Sequence, residues 1–524
     1  MSHPNENGEK TTISAQLVEL ASERYRFGQT PAGEPYAVPH DPPYAALPLR
    51  SLRSQLAALY HDQTGKVPSA SALGDALAVA EGRALGESPE IAHLRIGRHE
   101  NGIVLDLGNK TGKAIIVSPS GWANVKRSPV LFRRTILTSP LPVPTQDGHL
   151  EQLRDLLNVT AEDWPLVPAW LVATLLCPTT PVPALFLTGE QGTGKSTCAR
   201  TLAQLIDPSP APLRTVPKDL DQWAVGASGS RLVAIDNISY VPGWLSDAWC
   251  RAVTGDGTIR RALYSNNDLT ILAFQRALIV TAIDAGALRG DLASRIVAVE
   301  LERLDERRLD DDLTRQFTAL HPQLLGAVLS LAADVLRILP TIQMTQLQRM
   351  ADWTRILAAT DQILGTNGLA RYESLAGRLA GDLIEENPVA TAIRQLAHTL
   401  GHWTGTARDL LDQISPDEPP KHWPANPRAL SAALKRHAPA LRSAGIALDF
   451  QRGMTQRLIS ISTQSGHPEK DHTSINTKPQ MTHSAHHQGE QRFDLDIHDD
   501  EQGDLWVIFN DTHDGTPLVN DGTQ

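Results

Sequence analysis

Ala184-Leu-Phe-Leu-Thr-Gly-Glu-Gln-Gly-Thr-Gly-Lys-Ser-Thr-Cys-Ala-Arg200 is the stretch on which the fold turns. Four apolar residues, Ala184 to Leu187, read as a buried parallel strand. Gly189-x-x-x-x-Gly194-Lys195-Ser196 follows with full P-loop spacing. Cys198, Ala199, Leu202, Ala203, Leu205 and Ile206 then recur at helical intervals. Strand, glycine loop and helix together turn backbone N–H groups and a helix N-terminus toward phosphate. The expected cradle is Gly189, Glu190, Gln191, Gly192, Thr193, Gly194, Lys195, Ser196 and Thr197. Within it Lys195 reaches the β- and γ-phosphates of ATP, and the Ser196 hydroxyl ligands Mg²⁺.

Working outward, Arg231-Leu-Val-Ala-Ile-Asp236-Asn237 is a second apolar run, ending in an acid. Asp236 is expected beside the metal, where a carboxylate holds Mg²⁺ through its water shell. Asn237 stands where many ATPases carry a second acid; an amide cannot take a proton but can position water. Thr254-Gly255-Asp256-Gly257 is a turn signal, closely followed by Arg260, Arg261 and Tyr264. Cations and an aromatic beside a turn can contact phosphates and stack on a base, although a solvated hairpin has the same composition. Gln275 to Asp284 reads as another buried strand with a polar end, making Thr281 and Asp284 candidate sensors of the γ-phosphate. Arg295 precedes the apolar Ile296–Val299 and suits an arginine finger reaching the ATP of a neighbouring subunit. A plain ion pair to Asp291 or Glu300 is the alternative.

The 524 residues are enough for several domains, and 41% hydrophobic with 20% charged residues is ordinary for a globular chain. Cys177, Cys198 and Cys250 form no CxxC pair, which argues against a disulfide framework or zinc site and for a reducing cytoplasm. The N-terminus is polar, and the longest apolar run, Leu166 to Cys177, is short for a bilayer, so no membrane association is expected. The net charge of −11 is unevenly placed. Residues 463–524 hold twelve Asp/Glu against three Lys/Arg, leaving the rest of the chain near −2. Overall acidity therefore does not exclude a local nucleic-acid surface.

Residues 1–13 and the tail 463–524 have the composition of disordered segments. Residues 14–147 read as an α+β accessory domain. It contains a hairpin over Tyr25–Val38, helices over Ser51–Tyr60 and Ala70–Glu81, and strands at 103–107, 114–118, 122–126 and 130–135. Only Asp106 is acidic in the 103–107 strand, so the paired carboxylates of a polymerase metal site are missing. The proline-rich 139–145 reads as a linker. The core is placed at 148–304, with Thr160 to Asp163 as a capping box opening a helix to Cys177. Helical patterns at 309–317, 324–339 and 350–364 mark a lid region over 305–400. Residues 401–462 show helix, helix, strand, strand, the layout of a winged helix, with Pro427 at the first position of the second helix.

In their order, the P-loop, Ile235-Asp236-Asn237, the Val253–Tyr264 block and Thr281 with Arg295 resemble the superfamily 3 helicase module. They resemble more narrowly the helicase half of phage and plasmid primase–helicase proteins. The resemblance covers roughly 148–340 and implies an AAA+-like α/β core with a parallel sheet, ATP at subunit interfaces of a homo-oligomeric, commonly hexameric, ring, and translocation along single-stranded DNA. It makes the residues after Thr254 a pore hairpin. Two positions depart from the pattern: Ile283 and Asp284 lie where the family usually has Asn, and Asn237 replaces the frequent second acid. The expected activity is ATP-dependent DNA unwinding or translocation in replication of a phage, plasmid or integrated element, alongside other replication proteins. The alternatives are an ATPase that remodels protein partners, a nucleotide-binding scaffold with little turnover and, distantly, a small-molecule kinase.

Overall fold

The computed structural model describes residues 12–255, 258–261, 269–272, 275–283, 290–303, 309–344, 349–385, 387–421, 423–452 and 457–463. The chain begins with α1 (Ile13–Arg24), capped by the Thr12 hydroxyl. The expected hairpin follows as β1 (Tyr25–Gln29) and β2 (Pro35–Pro39), with β3 (Leu47–Pro48) on its edge. Then come α2 (Leu52–Thr64) and α3 (Ala70–Leu85). Leu17, Leu52, Leu56, Tyr60 and Ala76 make a small core between these helices and the hairpin.

A second antiparallel sheet runs in order through β4 (Ile96–His99), β5 (Gly102–Asp106), β6 (Ala114–Ser118) and β7 (Gly121–Val125). The apolar 130–135 stretch is not a fourth hairpin strand. Phe132 and Arg133 make single bridges to His93 and Ala46 instead, tying the two N-terminal sheets together. Asp106 is buried and accepts two bonds from Arg134, at 2.7 and 2.8 Å. The 139–145 segment is packed down: Ser139 N–H donates to Pro208, Leu141 to Leu107 and Thr145 to Pro322.

α4 (Leu150–Leu156) and α5 (Leu166–Leu176) lead into the central layer. The expected capping box at Thr160–Asp163 does not start α5. Asp163 accepts the Glu300 N–H at 2.7 Å and pairs with Arg371 at 2.6 Å, so its carboxylate is committed to distant partners and the helix begins three residues later. Next are β8 (Ala184–Thr188), α6 (Lys195–Ile206), α7 (Leu220–Ser228), β9 (Leu232–Ile238) and α8 (Gly243–Thr254). β10 (Thr258–Arg261) and β11 (Leu269–Leu272) pair as an antiparallel hairpin. Gly255 caps α8 in the left-handed conformation at φ 88°, so the glycine in the turn signal closes a helix. β12 (Ala277–Ala282), α9 (Gly290–Ala293) and β13 (Ile296–Glu300) complete the layer.

β8, β9, β12 and β13 form one parallel sheet in the order β13-β8-β12-β9. Every residue of β12 is buried, as is Ala184–Leu187, because helices cover both faces. Trp170, Trp249 and Phe186 anchor this core, with Phe186 edge-on to Trp249 at 6.4 Å. The sheet sits against the N-terminal region through a buried ion pair, Arg95 Nε to Asp207 Oδ1 at 2.8 Å. Asp207 Oδ2 also accepts the backbone N–H groups of Arg231 and Leu232 at the start of β9.

α10 (Asp310–Ile338) joins two segments that look separate in sequence, with Pro322 inside it. By length and composition it could span a membrane, yet Leu325, Val328, Leu329, Ala332 and Val335 are fully buried in the main core. That packing outweighs the roughly 3 kcal/mol cost of an interior proline. α11 (Ala351–Leu364) and α12 (Gly368–Glu385) follow. α13 (Pro388–Leu400), β14 (His402–Thr406), α14 (Ala407–Ile414), α15 (Pro427–Ser443), β15 (Ile446–Arg452) and β16 (Arg457–Thr463) end the described chain. Their strands pair antiparallel in the order β14-β16-β15. Val389, Ile393 and Ala397 of α13 share a core with Leu410, Leu430, Leu434, Leu441 and Ile461, so this C-terminal core begins before residue 401.

Candidate active site

The P-loop joins the C-terminal end of β8 to α6. Gly189, Gly192 and Gly194 have φ of 139°, 87° and 83°, a region that side chains disfavour. At Gly189 an added Cβ would lie 2.9 Å from the Leu301 carbonyl oxygen. Gly194 is the N-cap of α6 and offers no side-chain acceptor, which leaves the first N–H groups of the helix for an anion. Lys195 Nζ donates to the Gly189 and Glu190 carbonyls, both at 2.7 Å. Burial lowers its pKa, against the opposing charge of Asp236. Thr193 is buried, and its hydroxyl donates to Glu190 at 3.0 Å, closing the loop on itself.

Ser196 Oγ donates to Asp236 Oδ1 at 2.8 Å, and Thr281 Oγ1 donates to the same oxygen at 2.6 Å. Thr281 Oγ1 in turn accepts the Asn237 N–H at 2.7 Å. The sheet register explains this convergence. Val280 pairs with Ile235 but Ala282 pairs with Ile238, so β9 carries one extra residue over Asp236-Asn237. Asn237 absorbs the bulge at φ 58°, a conformation Asn tolerates better than most residues. The bulge and the buried Thr281 together fix Asp236, and among the described residues no hydrogen bond falls on its Oδ2.

These groups open on a cleft of about 1170 Å³, to which Gln191, Thr197 and Asn237 also contribute. Its other wall contains residues that sequence reasoning missed: Asp155 in the last turn of α4 and Asn158 just after it, Glu302 and Arg303 after β13, and Leu309 and Leu313 at the start of α10. Asn158 Nδ2 donates to the Thr193 carbonyl at 3.3 Å and to the Glu302 carbonyl, lacing the wall to the P-loop. No local motif marks these positions; only the folding of α4 and α10 against the sheet brings them here. The cradle and the hydroxyl–carboxylate pair suit a nucleotide triphosphate with a hard divalent cation. Ser196 and Asp236 would hold the cation, and the P-loop amides and Lys195 the phosphates.

Arg295 lies away from this cleft. Its Nη1 pairs with Asp291 Oδ2 at 2.6 Å, donates to the Asp291 carbonyl at 2.9 Å and lies 3.6 Å from Cys250 Sγ. Its side chain is 13% exposed. Asp291 Oδ1 also takes Arg349 at 3.0 Å. Burial works to raise the Asp291 pKa, but the two guanidinium groups hold it below the usual carboxylate range. Within one chain Arg295 thus makes the Asp291 ion pair. Arg260 and Arg261 lie on β10, and their side chains fall outside the described residues, as do Tyr264 and Asp284 entirely.

No curated protein matches this sequence. Among solved structures the chain is similar to one titled "SCCmec type IV Cch - active helicase", at 12% identity and TM-score 0.44 over 84% of this chain and 93% of that one. It is similar also to the apo NrS-1 C-terminal region (305-718), at 11% identity and TM-score 0.38 over 86% of this chain and 100% of that one. Residues 150–382 match the family model of the actinomycete integrative conjugative element replication protein, and residues 389–478 match that of the AICE RepA C-terminal domain. Over these two adjoining segments the chain is similar to the replication proteins of actinomycete integrative conjugative elements.

Proposed function

We propose that this chain is an ATP-dependent DNA helicase or translocase of superfamily 3 type, acting in replication of an integrative conjugative element. The observation that carries the proposal is the convergence of Lys195, Ser196, Asp236 and Thr281 on one cleft at the C-terminal ends of the parallel strands. The replication-protein match supplies the biological setting. In this reading the 148–340 region is an AAA+-like core, the helices after β13 are its lid, and α13 to β16 form a winged helix.

Bound Mg²⁺·ATP supplies the phosphoryl chemistry. The P-loop N–H groups and Lys195 would hold the phosphates, and Asp236, held by Thr281, would hold the cation together with Ser196. Asn237 orients water without taking its proton, which makes turnover slow unless a neighbouring subunit contributes. Arg295, exchanging Asp291 for the phosphates of the adjacent subunit in a hexameric ring, stabilises the transition state in trans. The β10–β11 hairpin follows α8 directly and grips single-stranded DNA.

ATPase assays with and without single-stranded DNA, together with sedimentation in the presence of nucleotide, test the proposal. Stimulation by single strands and a ring-sized species are expected. Intact ATPase that ignores DNA would instead support a partner-remodelling ATPase, the alternative that the net charge of −11 favours.

A further inference from the structure

We infer that one end of the second N-terminal sheet, formed by the β5–β6 turn and the segment after β7, is a sequence-independent docking surface for the phosphate backbone of double-stranded DNA. Between Asp106 and Asp147 the sequence has no Asp or Glu and six Lys/Arg, in a chain whose net charge is −11. The sheet gathers four of the six at one end. Ala114 pairs with Val125, so Lys113 and Lys126 stand at the next facing positions, with Lys110 in the turn and Arg127 beside Lys126. All four are exposed, and among the described residues none is in an ion pair. Like charges at facing positions repel, so the fold gains nothing from this arrangement. The acid at this end, Asp106, is buried and already taken by Arg134. A cationic cluster left unneutralised in an acidic chain points to a polyanion.

The turn is held in place without using these charges. Asn109 Oδ1 accepts the Thr111 N–H at 3.1 Å and the Thr111 hydroxyl at 2.7 Å, and the Asn109 carbonyl accepts Arg134 Nη1 at 2.6 Å. Tyr44 is wedged against the turn: a Cβ at Gly112 would lie 2.6 Å from Tyr44 Cδ2, so the ring fits only beside a glycine. The Arg127 guanidinium carbon lies 4.8 Å from the centroid of that ring, which orders the arginine before any ligand arrives. The same contact favours a duplex. Single-strand sites add aromatic faces for base stacking to their cations. Tyr44 has a face taken by Arg127, and what remains is a set of point charges on lysine stems. These suit regularly spaced phosphates and read no sequence. This inference draws on the proposed DNA function for the identity of the polyanion, but its test does not depend on ATP turnover.

The test uses the full chain and a duplex of about 25 base pairs, with the single strand of the same sequence and polyglutamate as comparisons, measured by fluorescence anisotropy at several salt concentrations. The variant Lys110→Ala/Lys113→Ala/Lys126→Ala should bind the duplex at least about tenfold more weakly and lower the salt slope by roughly 2 to 3, whatever the duplex sequence. Single-strand affinity and single-strand-stimulated ATPase should stay at the parent level. The charge-preserving Lys110→Arg/Lys113→Arg/Lys126→Arg chain should retain most duplex affinity; a loss equal to that of the alanine variant would overturn the inference, because charge would not be what matters. Unchanged duplex affinity and slope in the alanine variant would also overturn it, and a loss confined to polyglutamate would assign the surface to an acidic protein instead. Equal losses on duplex and single strand would overturn it by making this surface part of the single-strand path. Failure of single strands to stimulate the parent ATPase would count against the helicase proposal alone.

Discussion

Thr281 donates to Asp236 Oδ1 at 2.6 Å while accepting the Asn237 N–H at 2.7 Å, so one hydroxyl on β12 holds both residues of the β9 bulge. A sensor at this strand end would be expected to face the γ-phosphate. In this structure Thr281 is 1% exposed and its hydroxyl is bonded to Asp236. Thr281→Val removes the donor and orphans the Asn237 N–H, at a cost of about 1–3 kcal/mol. ATPase kcat should fall by about tenfold or more, with the Mg²⁺ requirement shifted to higher concentration, and Thr281→Ser should restore both. An unchanged kcat in the valine variant would remove Thr281 from the site.

Lys195→Ala tests the cradle. Nζ already spans the Gly189 and Glu190 carbonyls, so the lysine both shapes the loop and supplies charge. Turnover should drop by about 100-fold or more. Asp236→Asn should drop it similarly while leaving the fold intact, as judged by circular dichroism. Retained turnover in either variant would shift the reading to a scaffold whose nucleotide is not consumed.

The parts of this site that were legible in sequence are those where a short local pattern carries the physics. The glycine spacing at 189–194 and the apolar runs into Thr188 and Asp236 are such patterns, because a buried parallel strand must be apolar on both faces. The β9 bulge was not legible, since an extra residue in a strand exists only relative to its neighbour β12. Asn158 and Leu309 were silent for the same reason, being brought to the cleft by long-range packing. Asp163 shows the opposite failure: its local capping pattern was real, but Arg371 and the Glu300 N–H outcompeted it. The patterns at 309–317 and 324–339 belong to one helix that runs through Pro322, because an interior proline is tolerated where the following turns are buried.

Stability should fall on mild acidification. His321 on α10 is buried, stacked on Phe317 with centroids 4.8 Å apart, and its Nε2 lies 3.1 Å from the Leu205 carbonyl. Burial lowers its pKa, against the favourable carbonyl bond. The unfolded chain therefore takes up this proton before the folded chain does. The stability is complete above the unfolded value near 6.5 and is lost as pH falls from there through the depressed folded value. Urea midpoints between pH 8 and pH 5 should decline less steeply in His321→Gln, whose amide can still donate to Leu205 but does not titrate. Parallel curves would assign the decline to other groups.

Removing one partner of the Arg95–Asp207 pair should destabilise the chain strongly. Asp207→Ala strands a buried guanidinium and leaves the Arg231 and Leu232 N–H groups without their acceptor. A loss of about 3–5 kcal/mol is expected, read as a clear fall in the midpoint of thermal unfolding. A shift no larger than that of a surface substitution would mean that water or repacking replaces the carboxylate.

The proposed ring makes a prediction about Arg295 that an isolated chain cannot satisfy. Its ion pair with Asp291, shared with Arg349, keeps it from the cleft of its own subunit. If it serves the next subunit, Arg295→Ala and Lys195→Ala should each be nearly inactive as pure proteins, for different reasons. The first retains an intact cradle and lacks the finger; the second retains the finger and lacks the cradle. Mixed under assembly conditions, they form interfaces in which the cradle of one chain meets the arginine of the other. ATPase should then rise above the sum of the two proteins alone, and dilution below the assembly concentration should abolish the gain. Asp291→Asn, which loosens the competing ion pair, should leave the mixed activity intact. No gain on mixing, with both variants shown to co-assemble, would reduce Arg295 to a structural partner of Asp291.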